Sequence, residues 1–239
     1  MSLRKVYLRH KEAYPDNLNT FTAYEGFWEL AVEITPFYGF GDIETLTDLG
    51  PEVGLVGFIG DIWAALKVLD KPIPAALDYP EELTPWIGRK IWKGTLKEVR
   101  ESTAKVFIKP VFHKLFTGYV WDGSRESRWR TLTCGSDTEL WISEVVEFES
   151  EWRCFIQDRE IVGVRHYKGD WSKAPNRLVV EAAVAAYNGP RGCSLDFGVT
   201  STGETKLVEA NDGFSLGTYG LPAVPYAKLI EARWEELTQ

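Results

Sequence analysis

The chain has 239 residues, of which 44% are hydrophobic and 26% charged, a composition typical of a soluble globular protein. Its formal net charge of −8 disfavours a surface built to bind nucleic acid phosphates, whereas a nucleotide accompanied by Mg²⁺ remains compatible. No apolar run approaches the roughly 18 residues of a membrane span and the first residues lack the apolar core of a signal peptide, so we expect no membrane partner and no nucleic acid partner.

Three cysteines are odd in number and far apart in the sequence (Cys134, Cys154 and Cys193). This spacing matches neither a disulfide framework nor a zinc site, and it therefore predicts reduced thiols. Because reduced thiols are typical of the cytosol, we expect the protein to be cytoplasmic. The sequence gives no indication of the oligomeric state.

The first part of the chain predicts a small α/β unit. Residues 5–9 favour a strand, but the rest of the first 50 residues shows no clear periodicity. Residues 53–58 favour a second strand, and residues 61–69 follow with apolar side chains at helical spacing. Three glycines here favour close packing over a phosphate-binding loop, because they lie largely within the strand (Gly54, Gly57 and Gly60).

A domain boundary is predicted near residue 75, because Pro72 and Pro74 interrupt the preceding helix. This gives an N-terminal domain of residues 1–75 and a second domain of residues 76–239. The second domain mixes strands with helices, which predicts the α+β class. Its predicted strands cover residues 106–110, 141–148, 152–157 and 161–167, and its predicted helices cover residues 178–187 and 226–237.

Lys109 lies near the end of an apolar strand, before a proline and a loop at residues 111–118. A lysine in this position can reach the phosphates of a nucleotide. A lysine that extends from a half-buried strand into solvent would have the same sequence context. The loop contains a further lysine, Lys114.

Glu144 precedes two apolar residues, Val145 and Val146, and a further acid, Glu151, begins the next strand. The backbone groups of the two valines can pair with the edge of an adenine, and a carboxylate nearby can accept hydrogen bonds from ribose hydroxyls. An acidic edge strand, kept from aggregating by its charges, would have the same composition. Both interpretations stay open on these residues alone.

Residues 158–159 predict a two-residue turn between two strands. With this turn Arg153 faces Val164, so that Arg153 and His166 share one face of the sheet and Arg165 points to the other. A bulge would reverse this assignment. An ordinary half-buried histidine is the simpler explanation of His166, ahead of a role in acid–base chemistry.

The most informative pattern lies near the C-terminus, where residues 195–199 and 207–212 alternate apolar and polar side chains. The polar residues 201–204 between them predict the turn of an antiparallel hairpin. With this turn, Thr200 lies opposite Thr205.

In that register Asp196 faces Glu209, and Asn211 lies further along the same face. Four apolar residues point to the other face, into a core (Leu195, Phe197, Val208 and Ala210). Two opposed carboxylates repel each other by about 0.2–1 kcal/mol unless a cation lies between them. Oxygen ligands without nearby Cys or His favour Mg²⁺ or Mn²⁺ over Zn²⁺. A solvated face whose two acids flank a lysine or arginine is an equally good interpretation of these residues.

Three segments, taken in order, resemble the motifs of the ATP-grasp superfamily: residues 107–110, residues 144–153 and residues 196–211. The resemblance extends from about residue 85 to the C-terminus. Residues 209–221 look like a compact clade of this superfamily that is named for two arginines and a lysine.

The resemblance implies an ATP-grasp fold, in which two α+β lobes enclose ATP. The small lobe would comprise residues 76–141 and the large lobe residues 142–239. The α/β domain of residues 1–75 would contribute to the substrate side.

The resemblance also implies a role for individual residues. The implied ATP-binding residues are Lys109, Lys114, Glu144, Val145, Val146 and Glu151. The implied metal ligands, for Mg²⁺ or Mn²⁺, are Asp196, Glu209 and Asn211. The implied catalytic residues, which stabilise the transferred phosphoryl group, are Arg153 and Lys109. The implied substrate-binding residues are Arg165, His166, Lys168 and Asp212.

The sequence departs from the family at two points. Residues 112–118 lack the glycine- or serine-rich loop of many members, and Lys114 is expected to compensate. The second phosphate-binding lysine of the family could be Lys90 or Lys93, unless residues 89–97 are simply a solvated basic face.

The implied function is an ATP- and Mg²⁺-dependent ligase that converts a carboxylate to an acyl phosphate and joins it to an amine. The expected substrates are small-molecule or peptide carboxylates and amines, which no residue identifies further. Two alternatives stay open. A phosphotransferase would use the same ATP and metal residues, and a nucleotide-binding module would bind ATP without turnover.

Overall fold

The computed structural model describes residues 3–112 and 115–239, which divide into two compact units. The first unit joins Met1–Trp86 to Glu149–Gln239, and the second unit is Ile87–Phe148. These bounds differ from the predicted bounds at residues 75 and 141. The division into an N-terminal domain of residues 1–75 and lobes of residues 76–141 and 142–239 stays a prediction.

The first unit begins with a small α/β segment. β1 lies between β3 and β4 and is parallel to both, and its last residues pair antiparallel with β2. The predicted strand at residues 5–9 and the predicted strand and helix after residue 53 are present, with shifted ends. The elements are β1 (Lys5–Lys11), β2 (Tyr14–Pro15), α1 (Leu18–Glu29), β3 (Glu33–Phe37), α2 (Phe40–Ile43), β4 (Val53–Val56), α3 (Ile59–Val68) and, after a 3-10 turn at Glu81–Leu83, α4 (Thr84–Ile87).

Helix α1 was not expected from the sequence periodicity, and a capping box explains why it begins where it does. The Asn17 side chain accepts hydrogen bonds from the backbone N of Asn19 at 2.8 Å and of Thr20 at 3.2 Å. The Thr20 hydroxyl in turn accepts from the backbone N of Asn17 at 2.9 Å. These bonds satisfy donors that the first turn of a helix leaves without partners.

The glycines around β4 are explained by close packing, as the sequence favoured. A Cβ atom at Gly57 would lie 2.5 Å from Asp61 Oδ2, and a Cβ atom at Gly54 would lie 3.0 Å from the Leu3 side chain. Asp61 Oδ2 also accepts a hydrogen bond from the backbone N of Phe58 at 2.8 Å.

The second unit is an antiparallel sheet of order β5-β8-β6-β7 with two short helices. Its elements are β5 (Ile91–Thr95), α5 (Leu96–Glu101), β6 (Val106–Pro110), β7 (Tyr119–Trp121), α6 (Arg125–Arg130) and β8 (Glu139–Ser143). The strand predicted at residues 141–148 is wrong at its end, because residues 144–148 lie outside any helix or strand. The Glu144 carboxylate accepts a hydrogen bond from the backbone N of Lys90. At this point β8 ends and the antiparallel strand β5 begins.

The rest of the first unit is an antiparallel sheet of order β10-β9-β11-β12 with two helices. The strands and helices predicted here are confirmed, with ends that shift by at most three residues. The elements are β9 (Ser150–Gln157), β10 (Glu160–Gly169), α7 (Arg177–Ala186), β11 (Gly192–Val199), β12 (Thr205–Asp212), a 3-10 turn at Gly213–Ser215 and α8 (Ala223–Thr238).

Helix α8 joins the two segments of the first unit, because it packs on α1 and also contacts β4, β9 and β11. Buried side chains from both segments form one core, which includes Leu8, Phe27, Leu66, Phe155, Leu229 and Trp234. Of the helices in the described ranges, none combines the length and apolar character needed to cross a membrane.

The cysteines are free thiols, as predicted. Burial raises the pKa of Cys154 and of Cys193 to about 12, so both thiols stay protonated near neutral pH.

The packing of α1 on α8 can be tested with Gly26→Ala. A Cβ atom at Gly26 would lie 2.1 Å from the carbonyl oxygen of Ala223 and 2.8 Å from Cβ of Ala227. Alanine normally stabilises a helix interior by ~1 kcal/mol relative to glycine. Here the overlap reverses the sign, and we expect the free energy of unfolding in urea to fall by about 1–3 kcal/mol. Gly41→Ala in α2, where a Cβ atom meets no atom within 4 Å, is the matched control and should leave it unchanged or raise it.

Candidate functional site

Four charged side chains lie in one row across the sheet β10-β9-β11-β12. The register pairs Arg165 with Arg153, and Arg153 with Asp196. It also pairs Asp196 with Glu209. Directly opposed residues of antiparallel strands project from the same face of a sheet. We call these four residues the charged row.

The centre of the charged row is a bidentate ion pair. Arg153 Nε donates to Asp196 Oδ1 at 2.8 Å, and Arg153 Nη2 donates to Asp196 Oδ2 at 2.7 Å. The exposed fractions of the two residues are only 7% and 2%. Burial raises the pKa of Asp196 to about 6, although the hydrogen bonds and charge of Arg153 act in the opposite direction. Burial alone would lower the pKa of Arg153, but its bonds to Asp196 outweigh that effect and raise it, so the guanidinium stays charged.

Two tyrosine rings lie against the guanidinium of Arg153. Its Cζ lies 4.9 Å from the ring centroid of Tyr219 and 5.9 Å from that of Tyr167. The two rings stack on each other with their centroids 4.8 Å apart. Tyr219 has a φ of 45°, a left-handed conformation that costs a bulky residue about 1–3 kcal/mol. The surrounding contacts therefore hold Tyr219 in place against backbone strain.

The hairpin of β11 and β12 places Asp196 opposite Glu209, as predicted. The predicted register near the turn is wrong, because Val199 pairs with Thr205 in place of Thr200. A bulge directly after Asp196 shifts the register by one residue and so restores the predicted pair of acids.

The same bulge decides which apolar side chain of β12 enters the core. Leu207 is fully buried, with an exposed fraction of 0%, whereas Val208 is only half-buried. The expectation that Val208 faces the core is therefore wrong. Leu195, Phe197 and Ala210 are buried as predicted.

Asp196, Glu209 and Asn211 present on one face of the hairpin the side-chain types that suit Mg²⁺ or Mn²⁺. Asn211 Nδ2 donates to Asp196 Oδ2 at 3.3 Å, and a half-turn of the amide would present its oxygen instead. Both oxygens of Asp196 also accept from Arg153. The donor set thus suits a hard cation by the type of its oxygens, and two of the lone pairs of Asp196 are used by Arg153. The alternative of acids that flank an arginine holds for Asp196, but this face is buried at that point, not solvated.

Across residues 3–112 and 115–239, no three His, Cys, Asp or Glu side chains group as metal ligands. The predicted set contains only two residues of these four types, Asp196 and Glu209, because its third member, Asn211, is an amide.

The residue of β10 that lies opposite Arg153 differs from the predicted one, Val164. The turn at Asp158 and Arg159 is present, but a bulge between Ile161 and Gly163 shifts the register by one residue. Arg165 therefore lies opposite Arg153, and the predicted placement of Arg165 on the other face is wrong. Within the described ranges no hydrogen-bond acceptor contacts the buried Nε of Arg165.

His166 lies opposite Trp152, on the face of the sheet away from the charged row. The predicted shared face of Arg153 and His166 is therefore wrong, for the same reason. The His166 ring packs edge-to-face on Trp152 at 5.0 Å between centroids. This placement favours an ordinary strand histidine over a substrate contact.

Glu151 lies two residues before Arg153 on the same face of β9. Its Oε1 accepts from Lys168 Nζ at 2.5 Å and its Oε2 accepts from the Tyr167 hydroxyl at 2.8 Å. Both oxygens therefore have donors on the neighbouring strand β10. Burial, followed by the charges of Asp196 and Glu151, raises the pKa of Tyr167, so the phenol stays protonated and donates.

Asp212 lies on the other face of β12, opposite Cys193. Its carboxylate accepts from Arg233 Nε at 2.7 Å and from Arg233 Nη2 at 2.6 Å. It also accepts from the backbone N of Phe214 at 3.4 Å. The structure does not bring Asp212 to the charged row. Its contacts connect β12 to α8, which favours a structural role over the predicted substrate contact.

Residues 213–221 connect the charged row to the N-terminal sheet of the same unit. Tyr219 in this segment contacts Arg153. Ser215 Oγ donates to the carbonyl oxygen of Gly57 at 3.3 Å, directly after β4. The backbone N of Thr218 donates to the side chain of Asn19 at 3.0 Å, in the first turn of α1. The segment therefore lies at the carboxyl ends of the parallel strands, where ligands bind in α/β sheets.

In the second unit, Lys109 belongs to a row across three strands. The register pairs Lys109 with Trp141, and Trp141 with Lys93. Lys93 Nζ lies 4.8 Å from the ring centroid of Trp141. The buried residue Ile108 shows that the core lies on the other face. Of the two lysines proposed from the sequence, Lys93 shares the face of Lys109, while Lys90 lies before the strand.

Glu144 and the residues after it leave the sheet of the second unit. The backbone N of Glu144 donates to the carbonyl oxygen of Lys90 at 3.1 Å, and its Oε2 accepts from the backbone N of Lys90 at 2.8 Å. Val145 and Val146 are half-buried and belong to no strand. Their backbone groups are therefore outside the sheet ladder, and their contact with adenine stays a prediction.

Lys114 lies outside the described residues, and its predicted phosphate contact stays a prediction. Residues 87–148 contain 11 Lys and Arg against 8 Asp and Glu, although the whole chain carries a net charge of −8. Positive charge is thus concentrated in the unit that contains Lys109.

Tyr167 and Tyr219 contact Arg153 but are not among the site residues predicted from the sequence. Tyr167 is the extra residue of a second bulge in β10, between His166 and Lys168, which no local pattern signals. For Tyr219, the available signal was its position in a glycine-rich segment directly after the predicted metal ligands.

Among protein families, an ATP-grasp domain family matches residues 86–229. It is family 2 of the clade named for two arginines and a lysine, the clade that residues 209–221 resemble. No curated protein matches the chain.

Several solved structures share the fold. The ATP-grasp ligase PsnB complexed with minimal precursor is 14% identical with a TM-score of 0.57, over 97% of this chain and 99% of that chain. The D-alanine–D-alanine ligase from Bacillus anthracis is 15% identical with a TM-score of 0.58, over 100% and 97%. The D-cycloserine synthetase DcsG is 12% identical with a TM-score of 0.60, over 96% and 99%. At these identities the likeness is one of fold, and the predicted α+β ATP-grasp fold is confirmed.

The structural role of Asp212 can be tested with Asp212→Ala. The substitution removes the bidentate partner of the buried Arg233 guanidinium, which then keeps only its Nη1 contact with Glu236, and we expect the free energy of unfolding to fall by about 1–3 kcal/mol. Glu181→Ala, which removes an exposed partner of Arg177, is the control and should change it by less than ~0.5 kcal/mol. Urea denaturation measures both. A residue that only contacts substrate would leave the unfolding midpoint unchanged, and that result would contradict the structural role.

Proposed function

This chain belongs to the ATP-grasp superfamily, in family 2 of the clade named for two arginines and a lysine, and on that premise we propose that it is an ATP- and Mg²⁺-dependent carboxylate–amine ligase. It forms an amide or peptide bond through an acyl phosphate and releases ADP and phosphate. The observation that carries this proposal is the charged row. Two guanidiniums at one end and two carboxylates at the other share one face of the sheet.

The two ends of the charged row suit the two kinds of charge in this chemistry. Glu209 and Asp196, with Asn211 beside them, are oxygen donors for a divalent cation. Arg153 and Arg165 are cations suited to a carboxylate or a phosphoryl group, which guanidinium binds in a bidentate manner. A binding-only module has no need for both ends on one face.

The proposed reaction has two steps. A substrate carboxylate oxygen attacks the γ-phosphorus of ATP and ADP leaves. The amine nitrogen then attacks the acyl carbon, phosphate leaves, and the amine loses a proton. Bound Mg²⁺ supplies neutralisation of negative charge on the phosphates, with Asp196, Glu209 and Asn211 as its ligands. Arg153 and Lys109 stabilise charge on the transferred phosphoryl group.

The nucleotide residues are proposed as follows. Lys109 binds the phosphates, assisted by Lys93 on the same sheet face and by Lys114. Because the Glu144 carboxylate already binds the backbone of Lys90, the backbone groups of residues 145–146 are the better candidates for adenine. Glu151 binds the ribose, which requires it to exchange one of its two donors on β10.

Arg165 is the substrate-binding residue that the geometry favours most. It neighbours Arg153, and its buried Nε has no acceptor within the part of the chain that the structure describes. A buried donor without a partner is unfavourable, so a bound carboxylate or acyl phosphate would satisfy it. We assign Arg165 to the carboxylate substrate, with Lys168 at the exposed end of the same strand.

The proposed substrates are small molecules or peptides. The likeness to PsnB, which was solved with a precursor, and to the D-alanine–D-alanine ligase supports both classes. The N-terminal segment is proposed to contribute to the substrate side, because residues 213–221 connect it to the charged row. The cytoplasm remains the proposed location.

The proposed reaction is tested by measuring ADP, AMP and phosphate released from Mg·ATP, with and without pooled amino acids and short peptides. We expect pool-dependent ADP and phosphate, and a kcat lowered roughly 10²–10³-fold by Glu209→Gln, which removes a charge without changing shape. Glu204→Gln in the exposed turn of the same hairpin is the matched control and should retain activity.

Three other outcomes of this experiment would each identify a different activity or contradict the proposed route. A phosphorylated acceptor in place of an amide would identify a phosphotransferase. Nucleotide binding without any turnover would identify a binding module, and AMP would contradict the acyl-phosphate route.

The phosphate contact of Lys109 is tested with Lys109→Met. A hydrogen bond to a charged group contributes about 1.5–3 kcal/mol, so we expect the Kd of ADP to rise roughly 10–100-fold. Lys93→Met should raise it less, because Lys93 also rests on Trp141. Lys105→Met, an exposed lysine just before the same strand, is the control. Isothermal titration calorimetry measures all three, and an unchanged Kd for Lys109→Met would reject this contact.

A further inference from the structure

We propose that Arg153 and a divalent cation compete for Asp196, so that binding of the cation releases the Arg153 guanidinium toward Arg165 and creates an anion site between the two arginines. The inference concerns residues of this chain, and it rests on the metal site of the proposed function.

The first step is the occupancy of the Asp196 carboxylate. Arg153 holds both of its oxygens, at 2.8 and 2.7 Å, and Asn211 donates to one of them at 3.3 Å. A carboxylate has about four lone-pair positions, and three are in use. A cation that shared Asp196 with Arg153 would also lie within a few ångströms of a positive guanidinium, in a site 2% exposed where repulsion is poorly screened. The guanidinium and the cation therefore exclude each other.

The second step is the place that receives Arg153. Its cross-strand neighbour is Arg165, whose Nε is buried and contacts no acceptor in the described ranges. The rings of Tyr167 and Tyr219 lie against the guanidinium and continue to stabilise it if it turns. Tyr219 is strained, with a φ of 45°, and a strained residue of this kind is suited to moving when its contacts change.

The third step is the net charge of the face. In the charged row two guanidiniums balance two carboxylates, and beside it Lys168 balances Glu151. A divalent cation on Asp196 and Glu209 would change the neutral row to a net charge of +2. Two adjacent guanidiniums without acceptors then favour a bound anion. Binding of the cation and binding of an anionic substrate should therefore be positively coupled.

The competing view is that Arg153 supports the metal site by holding Asp196 ionised and oriented. The two views predict opposite signs for the effect of removing Arg153. Competition predicts tighter cation binding in Arg153→Met, whereas support predicts weaker binding.

The test is titration of the full chain with Mn²⁺ alone, following free Mn²⁺ by electron paramagnetic resonance. The titration is run at pH 8.5, where protons compete little with Mn²⁺ for carboxylate ligands. We expect Arg153→Met to lower the Kd of Mn²⁺ by roughly tenfold or more. Arg177→Met is the control, because it removes the same charge from an exposed ion pair with Glu181, and its Kd for Mn²⁺ should stay within about threefold of the parent value. Asp196→Asn should weaken Mn²⁺ binding, both in the parent chain and in combination with Arg153→Met.

A second measurement uses the parent chain and does not depend on the folding of a variant. With ¹⁵N-labelled arginine, the Nε–H signal of Arg153 is identified as the one absent from Arg153→Lys. Held by Asp196, this proton exchanges slowly with solvent, and saturating Mg²⁺ should shift it and accelerate its exchange.

An Arg153→Met variant that binds Mn²⁺ more weakly than the parent, together with an Nε–H signal that Mg²⁺ leaves unchanged, would overturn the competition. The proposed function would then stand, because binding would still depend on Asp196. Absence of any Asp196-dependent Mn²⁺ binding, in the parent and in Arg153→Met, would overturn both.

Discussion

The buried ion pair of Arg153 and Asp196 determines how the rest of the candidate site is arranged. Two charges with exposed fractions of 7% and 2% are stable only if they are paired with each other and hydrogen-bonded in good geometry. The bidentate contact meets this condition, and the rings of Tyr167 and Tyr219 enclose the guanidinium. Glu209 extends the pair on the acidic side and Arg165 on the basic side, where we propose that a cation and an anion bind, respectively. The pair therefore separates the two kinds of charge along one face of the sheet.

Two β-bulges decide which side chains reach this face. One follows Asp196 and keeps Glu209 opposite it, and the other lies between Ile161 and Gly163 and turns Arg165 toward Arg153. Since side chains alternate between faces, a slip of one residue exchanges a charged face for an apolar one. The chemistry of the site thus depends on these local irregularities in its strands. The second unit contributes a separate basic face, on which Lys109 is the central candidate for phosphate binding.

Local patterns in the sequence determined much of the fold. Alternation of apolar and polar residues around a polar turn predicted the hairpin and the pair of Asp196 and Glu209, because strand periodicity is a property of neighbouring residues. The order of three short motifs identified the ATP-grasp superfamily, which the family match to residues 86–229 bears out. Helix α1 was missed although Asn17 and Thr20 form its capping box, because its apolar residues follow no clear helical period.

Tertiary structure alone decided the partners of the functional side chains. Asp196 meets Arg153 across 43 residues of sequence, and Asp212 meets Arg233 across 21, on opposite faces of the same sheet. Nothing in either local sequence distinguishes the two aspartates, so the sequence predicted both at the site, whereas the structure places only Asp196 on the face of the charged row. The physical reason is that strand neighbours and bulges are selected by the packing of the whole unit, whereas the sequence around each residue determines only which faces its own strand presents.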